Sequence, residues 1–343
     1  MTGWTASDIP PQQGRVAVVT GTGGLGYETA YALVKAGAEV ILAGRDLAKG
    51  AAAIERIASH VPDAAIRFER LDLASLASIA DFGRRLARER DSLDLLVNNA
   101  GVMVPPRHMV TVDGFELQMG TNYFGHFALT GHLMPLLRKG QATRIISVSS
   151  VAARGGAIDF DNLQGQQTYR PMVAYSQSKL ACLMFALELQ HRSWTHGWNV
   201  TSIAAHPGVS RTGLLHNGPG RWSVPGLARS VLPFLFQPAA QGALPLLFAA
   251  TSPQAKGGAY YGPNRMGETR GQPALAKVPP QALDEASVAH LWDISEALTS
   301  VSYEPEAVDD VGLLSLAENS PGSVARSRHI PPIPMVQEND NVQ

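Results

Sequence analysis

Val16-Ala17-Val18-Val19-Thr20-Gly21-Thr22-Gly23-Gly24-Leu25-Gly26 is the stretch on which the reading of this chain turns. Its first four residues are apolar and rich in β-branched side chains, the signature of a strand buried on both faces. Glycines at 21, 23 and 26 then form a G-x-G-x-x-G turn, and Glu28–Lys35 beyond it has helix-forming character. Glycines there let the backbone approach a pyrophosphate, while the helix N-terminus offers free N–H groups and the positive end of its dipole. The spacing alone also occurs in ordinary turns. The strand before it and the helix after it are what point to dinucleotide binding by Gly21, Thr22, Gly23, Gly24, Leu25 and Gly26.

Working outward, the same alternation continues. Glu39–Ala43, Ala65–Arg70, Leu93–Val97, Arg144–Val148 and Asn199–Ala204 read as further buried strands, with Ala48–Ser59 and Leu76–Arg88 as helices between them. A β-α-β-α rhythm of this kind predicts an α/β fold: a doubly wound parallel sheet with helices on both faces, a Rossmann fold. Residues 1–303 are expected to form one domain. Within it the pattern changes from Leu214 to about Gly271 to proline, glycine and bulky apolar residues, so 210–271 is expected to serve as a substrate-binding cover. Asp284–Thr299 reads as a last helix, and 304–343 as a flexible C-terminal tail.

Composition narrows the function classes. Of 343 residues, 45% are hydrophobic and 17% charged, and the net charge is −1. That balance supplies a sizeable core and gives no electrostatic reason to expect nucleic acid or an anionic membrane as partner. The one cysteine, Cys182, cannot form an internal disulfide, and the ten histidines show no ligand spacing, so no catalytic metal is expected. The apolar run Val231–Ala250 has about the length of a membrane span but is broken by Pro233, Pro238 and Pro245, so it reads as buried or cover-forming. Residues 1–13 lack the apolar stretch of a signal peptide. A cytoplasmic setting is the expectation.

The second strand ends Ala43-Gly44-Arg45. Sites selective for NAD usually carry a carboxylate there, accepting from the ribose 2′-hydroxyl. Arg45 instead offers a donor fork suited to a 2′-phosphate, which points to NADP(H). The alternative is a surface arginine paired with Asp46. Asp72-Leu73 closes the third strand and Asn98-Asn99-Ala100-Gly101 the fourth. Residues at the carboxyl ends of such strands face the ligand crevice, although asparagines also stabilise turns on their own account.

Chemistry is expected from Ser149-Ser150 after the fifth strand and from Tyr175-Ser176-Gln177-Ser178-Lys179 at the start of a helix. Four-residue spacing puts Tyr175 and Lys179 on one helix face. A nearby ammonium favours the phenolate and brings a tyrosine closer to acid/base work near neutrality. Ser150 is placed to hydrogen-bond a carbonyl oxygen while Tyr175 donates a proton.

These features together resemble the short-chain dehydrogenase/reductase family, nearest to its retinol-dehydrogenase-like branch and the bacterial relatives of that branch. The resemblance runs from about Trp4 to Tyr303. It rests on Arg144-Ile145-Ile146-Ser147-Val148-Ser149-Ser150, the long interval to Tyr175, Ser178-Lys179-Leu180, Asn122-Tyr123-Phe124-Gly125-His126-Phe127 and Leu291-Trp292-Asp293-Ile294-Ser295. It implies that Tyr175 is the general acid/base, that Lys179 lowers its pKa and binds the nicotinamide ribose, and that Ser150 orients the substrate oxygen. Asn122 would hold a proton-relay water, Asp72 and Leu73 would contact the adenine end, and Asn99, Ala100 and Gly101 would line the cofactor. Pro207, Gly208, Val209 and Thr212 match the segment that touches the carboxamide, with His206 structural. The phosphate loop departs from the family's T-G-x-x-x-G-x-G by being one residue shorter between Thr20 and Gly26.

The implied activity is interconversion of a bulky hydrophobic ketone or aldehyde with its alcohol. A C=C reductase and a catalytically silent NADP(H)-binding sensor are the alternatives. Leu214, Leu215, Trp222, Val224, Leu227, Val231, Phe234, Leu235 and Phe236 make the cover apolar, hence the hydrophobic substrate. The apolar helix Leu180–Leu187 needs cover on both sides, either from a homodimer partner or from the chain's own C-terminal segment, while Cys182 on it reads as core.

Overall fold

The computed structural model describes residues 3–210 and 237–303. Eight strands form one sheet in the order β3-β2-β1-β4-β5-β6-β7-β8: β1 Val16–Thr20, β2 Glu39–Gly44, β3 Ile66–Arg70, β4 Leu95–Asn98, β5 Arg144–Val148, β6 Thr201–Ala205, β7 Tyr260–Arg265 and β8 Arg270–Leu275. All neighbours are parallel except β7 and β8, which form an antiparallel hairpin at the edge. Strand order reverses direction at β1 and β4, and it is outside such a reversal that α/β sheets hold their ligands.

The continuous apolar character of the strands has a direct physical reading. Val18 and Leu96 point into one core, and Ala17, Val19, Leu95 and Val97 into the other. The second core packs under α1 (Gly24–Lys35), α2 (Leu47–Ala58) and α6 (Ala239–Thr251). The first packs under α3 (Leu76–Glu89), α4 (Gly125–Leu137), α5 (Pro171–His196) and α7 (Glu285–Thr299). Pro171 opens α5, where a missing N–H costs nothing, and Gly197 closes it in the left-handed conformation.

The expected cover over 210–271 falls partly outside the described residues. Thr212 and the apolar residues Leu214 to Phe236 lie outside the described residues, but 237–271 is framework. Ala239–Thr251 is a core helix packed on α1, and Tyr260 onward adds β7 and β8. Pro263, Pro273 and Gly262 disguise these strands. Proline cannot donate to a ladder: Pro273 sits in the edge strand β8, and Pro263 sits in β7 beyond Tyr260 and Tyr261, the two residues that pair with β6. The described part of Val231–Ala250 contributes most of α6, which carries Pro245 inside it, and among the described residues no helix is long and apolar enough to cross a membrane.

Of the two covers open to α5, the described chain provides its own C-terminal segment. Trp292 of α7 stacks on Phe185 of α5, Arg192 lies 4.3 Å over the Trp292 ring, and Tyr303 completes the aromatic cluster with Phe127 and Trp198.

Candidate active site

The phosphate turn leaves β1 through Gly21, whose φ of +96° suits glycine alone, and α1 begins with Gly23 as its N-cap. No side chain caps this helix, so its first N–H groups stay available. A Cβ on Gly26 would collide with the Gly21 carbonyl and the Asn99 amide, whereas at Gly23 it would meet nothing within 4 Å. The turn is thus packed where it must be tight and open where a phosphate would approach. The shortened loop thus pairs a tight turn at Gly26 with open space at Gly23, ahead of an uncapped helix N-terminus.

Asp46 does not pair with Arg45. Its carboxylate caps α2, accepting from the Lys49 N–H at 3.0 Å, and Arg45 is exposed with no hydrogen-bond or ion-pair partner among the described residues. Asp72 accepts from the Ala74 N–H at 3.0 Å and Leu73 is buried beside it. Thr20 ties β1 to β4: its hydroxyl oxygen accepts from the N–H groups of Asn99 and Ala100 at 2.9 and 3.0 Å, while the Asn99 side chain donates back to the Thr20 carbonyl at 2.7 Å.

Tyr175 and Lys179 sit one turn apart on α5 and are buried to 8% and 6% exposure. Lys179 Nζ donates to the Val148 carbonyl at 2.9 Å, which fixes the ammonium at the end of β5, and a Cβ on Gly101 would lie 3.7 Å from it. The Tyr175 hydroxyl has no hydrogen-bond partner among the described residues. The two serines divide. Ser149 Oγ donates to the Lys179 carbonyl at 2.7 Å and is structural, whereas Ser150 caps the following turn Val151–Gly155, accepting from the Ala152 N–H at 3.2 Å.

Asn122 lies in a π-helical turn, Met119–Phe124, that runs into α4. Its amide pairs with both backbone groups of Val102, accepting at 2.7 Å and donating at 3.0 Å, and also donates to Ser178 Oγ at 3.0 Å. Its carbonyl accepts from His126 Nδ1 at 2.9 Å and from the Cys182 thiol at 3.2 Å. Burial pushes the Cys182 thiol up, so it stays neutral and belongs to the core.

His126 enters the sequence reading only as part of the stretch Asn122–Phe127 and is given no role there, although it stands four residues past Asn122, the spacing that brings a side chain over a carbonyl. Burial, against the opposing hydrogen bond to the Asn122 carbonyl, lowers its pKa to about 4, so the ring is neutral at physiological pH. Nδ1–H faces a carbonyl, so Nε2 is the acceptor and takes the Thr20 hydroxyl proton at 2.9 Å.

Pro207, Gly208 and Val209 leave β6 against the tip of the β7–β8 hairpin, with the Val209 N–H donating to the Thr269 carbonyl at 2.8 Å. His206 has a partner that the sequence reading did not indicate. Its ring is fully buried, and Nε2 meets Glu268 Oε2 at 3.0 Å. Burial lowers the His206 pKa. For Glu268 burial acts upward, but hydrogen bonds from His206 and the Lys277 N–H, with the charge of Arg154, hold the carboxyl below its ordinary range.

With this geometry in place, the likeness to known proteins has a physical footing. A family model described as short chain dehydrogenase matches residues 15–219. Retinol dehydrogenase 13 of Mus musculus is 39% identical over 318 residues, covering 90% of this chain and 87% of that protein. Polyprenol dehydrogenase of Mus musculus is 41% identical over 254 residues, 73% of this chain and 75% of the relative. A crystal structure of an uncharacterized protein from Mycobacterium paratuberculosis, 37% identical, superposes with a TM-score of 0.73 over 89% of this chain and all of that one.

A buried neutral histidine makes stability depend on pH. The His126 pKa is depressed in the fold, so its contribution is complete above the unfolded value of about 6.5 and is lost as pH falls toward 4. Urea unfolding at pH 7 and pH 4.5 should therefore show the wild type losing roughly 2–3 kcal/mol more than His126→Gln. Equal losses would mean that the ring titrates freely.

Proposed function

The chain belongs to the short-chain dehydrogenase family, and on that footing we propose that it is an NADP(H)-dependent oxidoreductase interconverting a bulky hydrophobic ketone or aldehyde and its alcohol. The observation that carries this reading is the pair Tyr175 and Lys179. Both are buried on one face of α5, the ammonium is anchored on β5, and the phenol has no hydrogen-bond partner among the described residues.

The residues of the phosphate turn fit a dinucleotide. Gly21, Thr22, Gly23, Gly24, Leu25 and Gly26 would hold the pyrophosphate, Asp72 and Leu73 the adenine end, and Asn99, Ala100 and Gly101 the middle. Pro207, Gly208 and Val209 would hold the carboxamide, with Thr212 beyond the described residues completing that segment. When bound, the nicotinamide supplies or accepts the hydride. Everything else falls to the chain. In the direction of reduction Ser150 hydrogen-bonds the carbonyl oxygen, and Tyr175 gives that oxygen its proton as the carbonyl carbon gains hydride, leaving a neutral alcohol. Lys179 holds its charge beside the phenol, where it stabilises the phenolate that proton donation leaves. Asn122 contributes mainly by position. A relay water at its carbonyl would share that oxygen with His126 and Cys182.

Arg45 supports NADP(H) over NAD(H), because Asp46 is spent on α2 and the guanidinium is left exposed at the end of β2. An apolar substrate is supported by the two relatives, whose names specify retinol and polyprenol, both apolar alcohols. α7 covers the aromatic side of α5 from within the chain.

Consumption of NADPH and NADH, followed against a panel of aromatic, terpenoid, steroid and retinoid carbonyls, tests the reading. Tyr175→Phe should lower kcat by about a hundredfold to ten-thousandfold with NADPH still bound. Retention of turnover in that variant would remove Tyr175 from the chemistry. Arg45→Ala should weaken NADPH by about ten- to a hundredfold and NADH by less than about twofold. Equal weakening of both would dismiss the 2′-phosphate assignment.

A further inference from the structure

We propose that Glu268, at the tip of the β7–β8 hairpin, is a positioning residue: a two-armed clamp whose carboxylate holds the catalytic-serine turn and the nicotinamide-side loop in register. The inference rests on the assignment of Ser150 and of Pro207–Val209 made above.

One arm runs to the serine. The Arg154 guanidinium pairs with Glu268 Oε2 and donates from its other amino group to the Gly267 carbonyl at 3.0 Å. Arg154 belongs to the short helical turn Val151–Gly155 that Ser150 caps. The other end of that turn is held from the same hairpin, where the Tyr260 hydroxyl donates to the Ser150 carbonyl at 3.3 Å. The serine's backbone is thus fixed by β7 at one end and by the hairpin tip at the other.

The second arm runs to the loop after β6. The Gly208 N–H donates to His206 Nδ1 at 3.2 Å, so Nε2 carries the ring proton and donates it to Glu268 Oε2 at 3.0 Å. The ring has nowhere else to go. A Cβ on Gly262 would overlap it, and the Tyr260 ring lies 5.0 Å away. The remaining carboxylate oxygen, Oε1, accepts from the Lys277 N–H at 3.0 Å, so both oxygens of Glu268 are in use.

The backbone at this tip argues that the arrangement is held rather than incidental. Met266, Gly267 and Glu268 all have positive φ, at 51°, 64° and 66°. Residues with side chains adopt that region at a cost and keep it where their surroundings impose it. Here the imposing contacts are the ones to Arg154, His206 and Lys277. Their common effect is to set the serine turn against Pro207–Val209, so that hydride donor and hydrogen-bond donor face one substrate carbon and oxygen.

A clamp of this kind predicts selective losses. In the full-length chain, Glu268→Ala should weaken the nicotinamide nucleotide that the wild type prefers by about tenfold, the cost of losing charge-assisted hydrogen bonds. It should leave binding of the matching ADP-ribose, which lacks only the nicotinamide, within about twofold, since the adenosine side is untouched. Arg154→Met cuts only the serine arm and should lower kcat by about tenfold with nucleotide affinity within about twofold. Glu268→Gln, which keeps the hairpin's shape and part of its hydrogen bonding, should recover part of both losses, and carries the test should Glu268→Ala fail to fold. Nucleotide and ADP-ribose affinities that are unchanged, or that fall equally, in the Glu268 variants overturn the clamp, as does an unaltered kcat in Arg154→Met. A wild-type chain that binds neither NADPH nor NADH overturns the dinucleotide assignment, and the clamp with it.

Discussion

The buried hydroxyl of Thr20 is the constraint from which the rest of the site follows. It accepts the N–H groups of Asn99 and Ala100 and gives its proton to His126, so one oxygen joins the ends of β1 and β4 to α4. His126 passes the constraint to the Asn122 carbonyl, the Asn122 amide to Ser178, and Ser178 to the carbonyl of Tyr175 at 2.8 Å. The phosphate turn and the helix bearing Tyr175 and Lys179 are therefore linked by a series of short hydrogen bonds that is buried from Thr20 to Tyr175. Such a network holds a geometry well only when every member is satisfied, and a neutral His126 with one donor and one acceptor nitrogen satisfies its place in it.

The π-helical turn Met119–Phe124 fits the same logic. An extra residue in the turn preceding α4 brings the Asn122 side chain onto Val102 and its carbonyl under His126 and Cys182. Turns of this kind are uncommon and occur disproportionately at functional sites. On the far side of the crevice the β7–β8 hairpin does comparable work for Ser150 and for Pro207–Val209, from a strand pair at the sheet edge where extra backbone can be added without disturbing the parallel core.

Much of this was legible in the residues. The strands β1, β2, β4, β5 and β6 and the helices α1, α2, α3 and α7 announce themselves because burial on both faces demands continuous apolar runs, and because the glycine turn can mean little else between a strand and a helix; β3, Ile66-Arg67-Phe68-Glu69-Arg70, is instead a half-buried edge strand. The short-chain dehydrogenase character followed from the order of motifs, and the family match and the sheet topology bear it out. Local pattern failed where the cause was not local. β7 and β8 carry Pro263 and Pro273, which argue against a strand unless it is known that Pro273 lies at the sheet edge and Pro263 beyond the pairing with β6, and α6 carries Pro245. His126 and Glu268 are single polar residues whose meaning lies in partners 106 and 62 positions away, Thr20 and His206. Adjacency in the sequence suggests Asp46 as a partner for Arg45, whereas in the fold its carboxylate caps α2.

The most direct test of the account is the fate of a labelled hydride. NADPH carrying deuterium at the nicotinamide C4, incubated with the full-length chain and apolar carbonyls, should yield an alcohol with deuterium on the former carbonyl carbon. The label should be missing when Tyr175→Phe replaces the wild type. A chain that binds NADPH yet leaves every carbonyl unlabelled, or one whose Tyr175→Phe variant transfers deuterium at the wild-type rate, would contradict it.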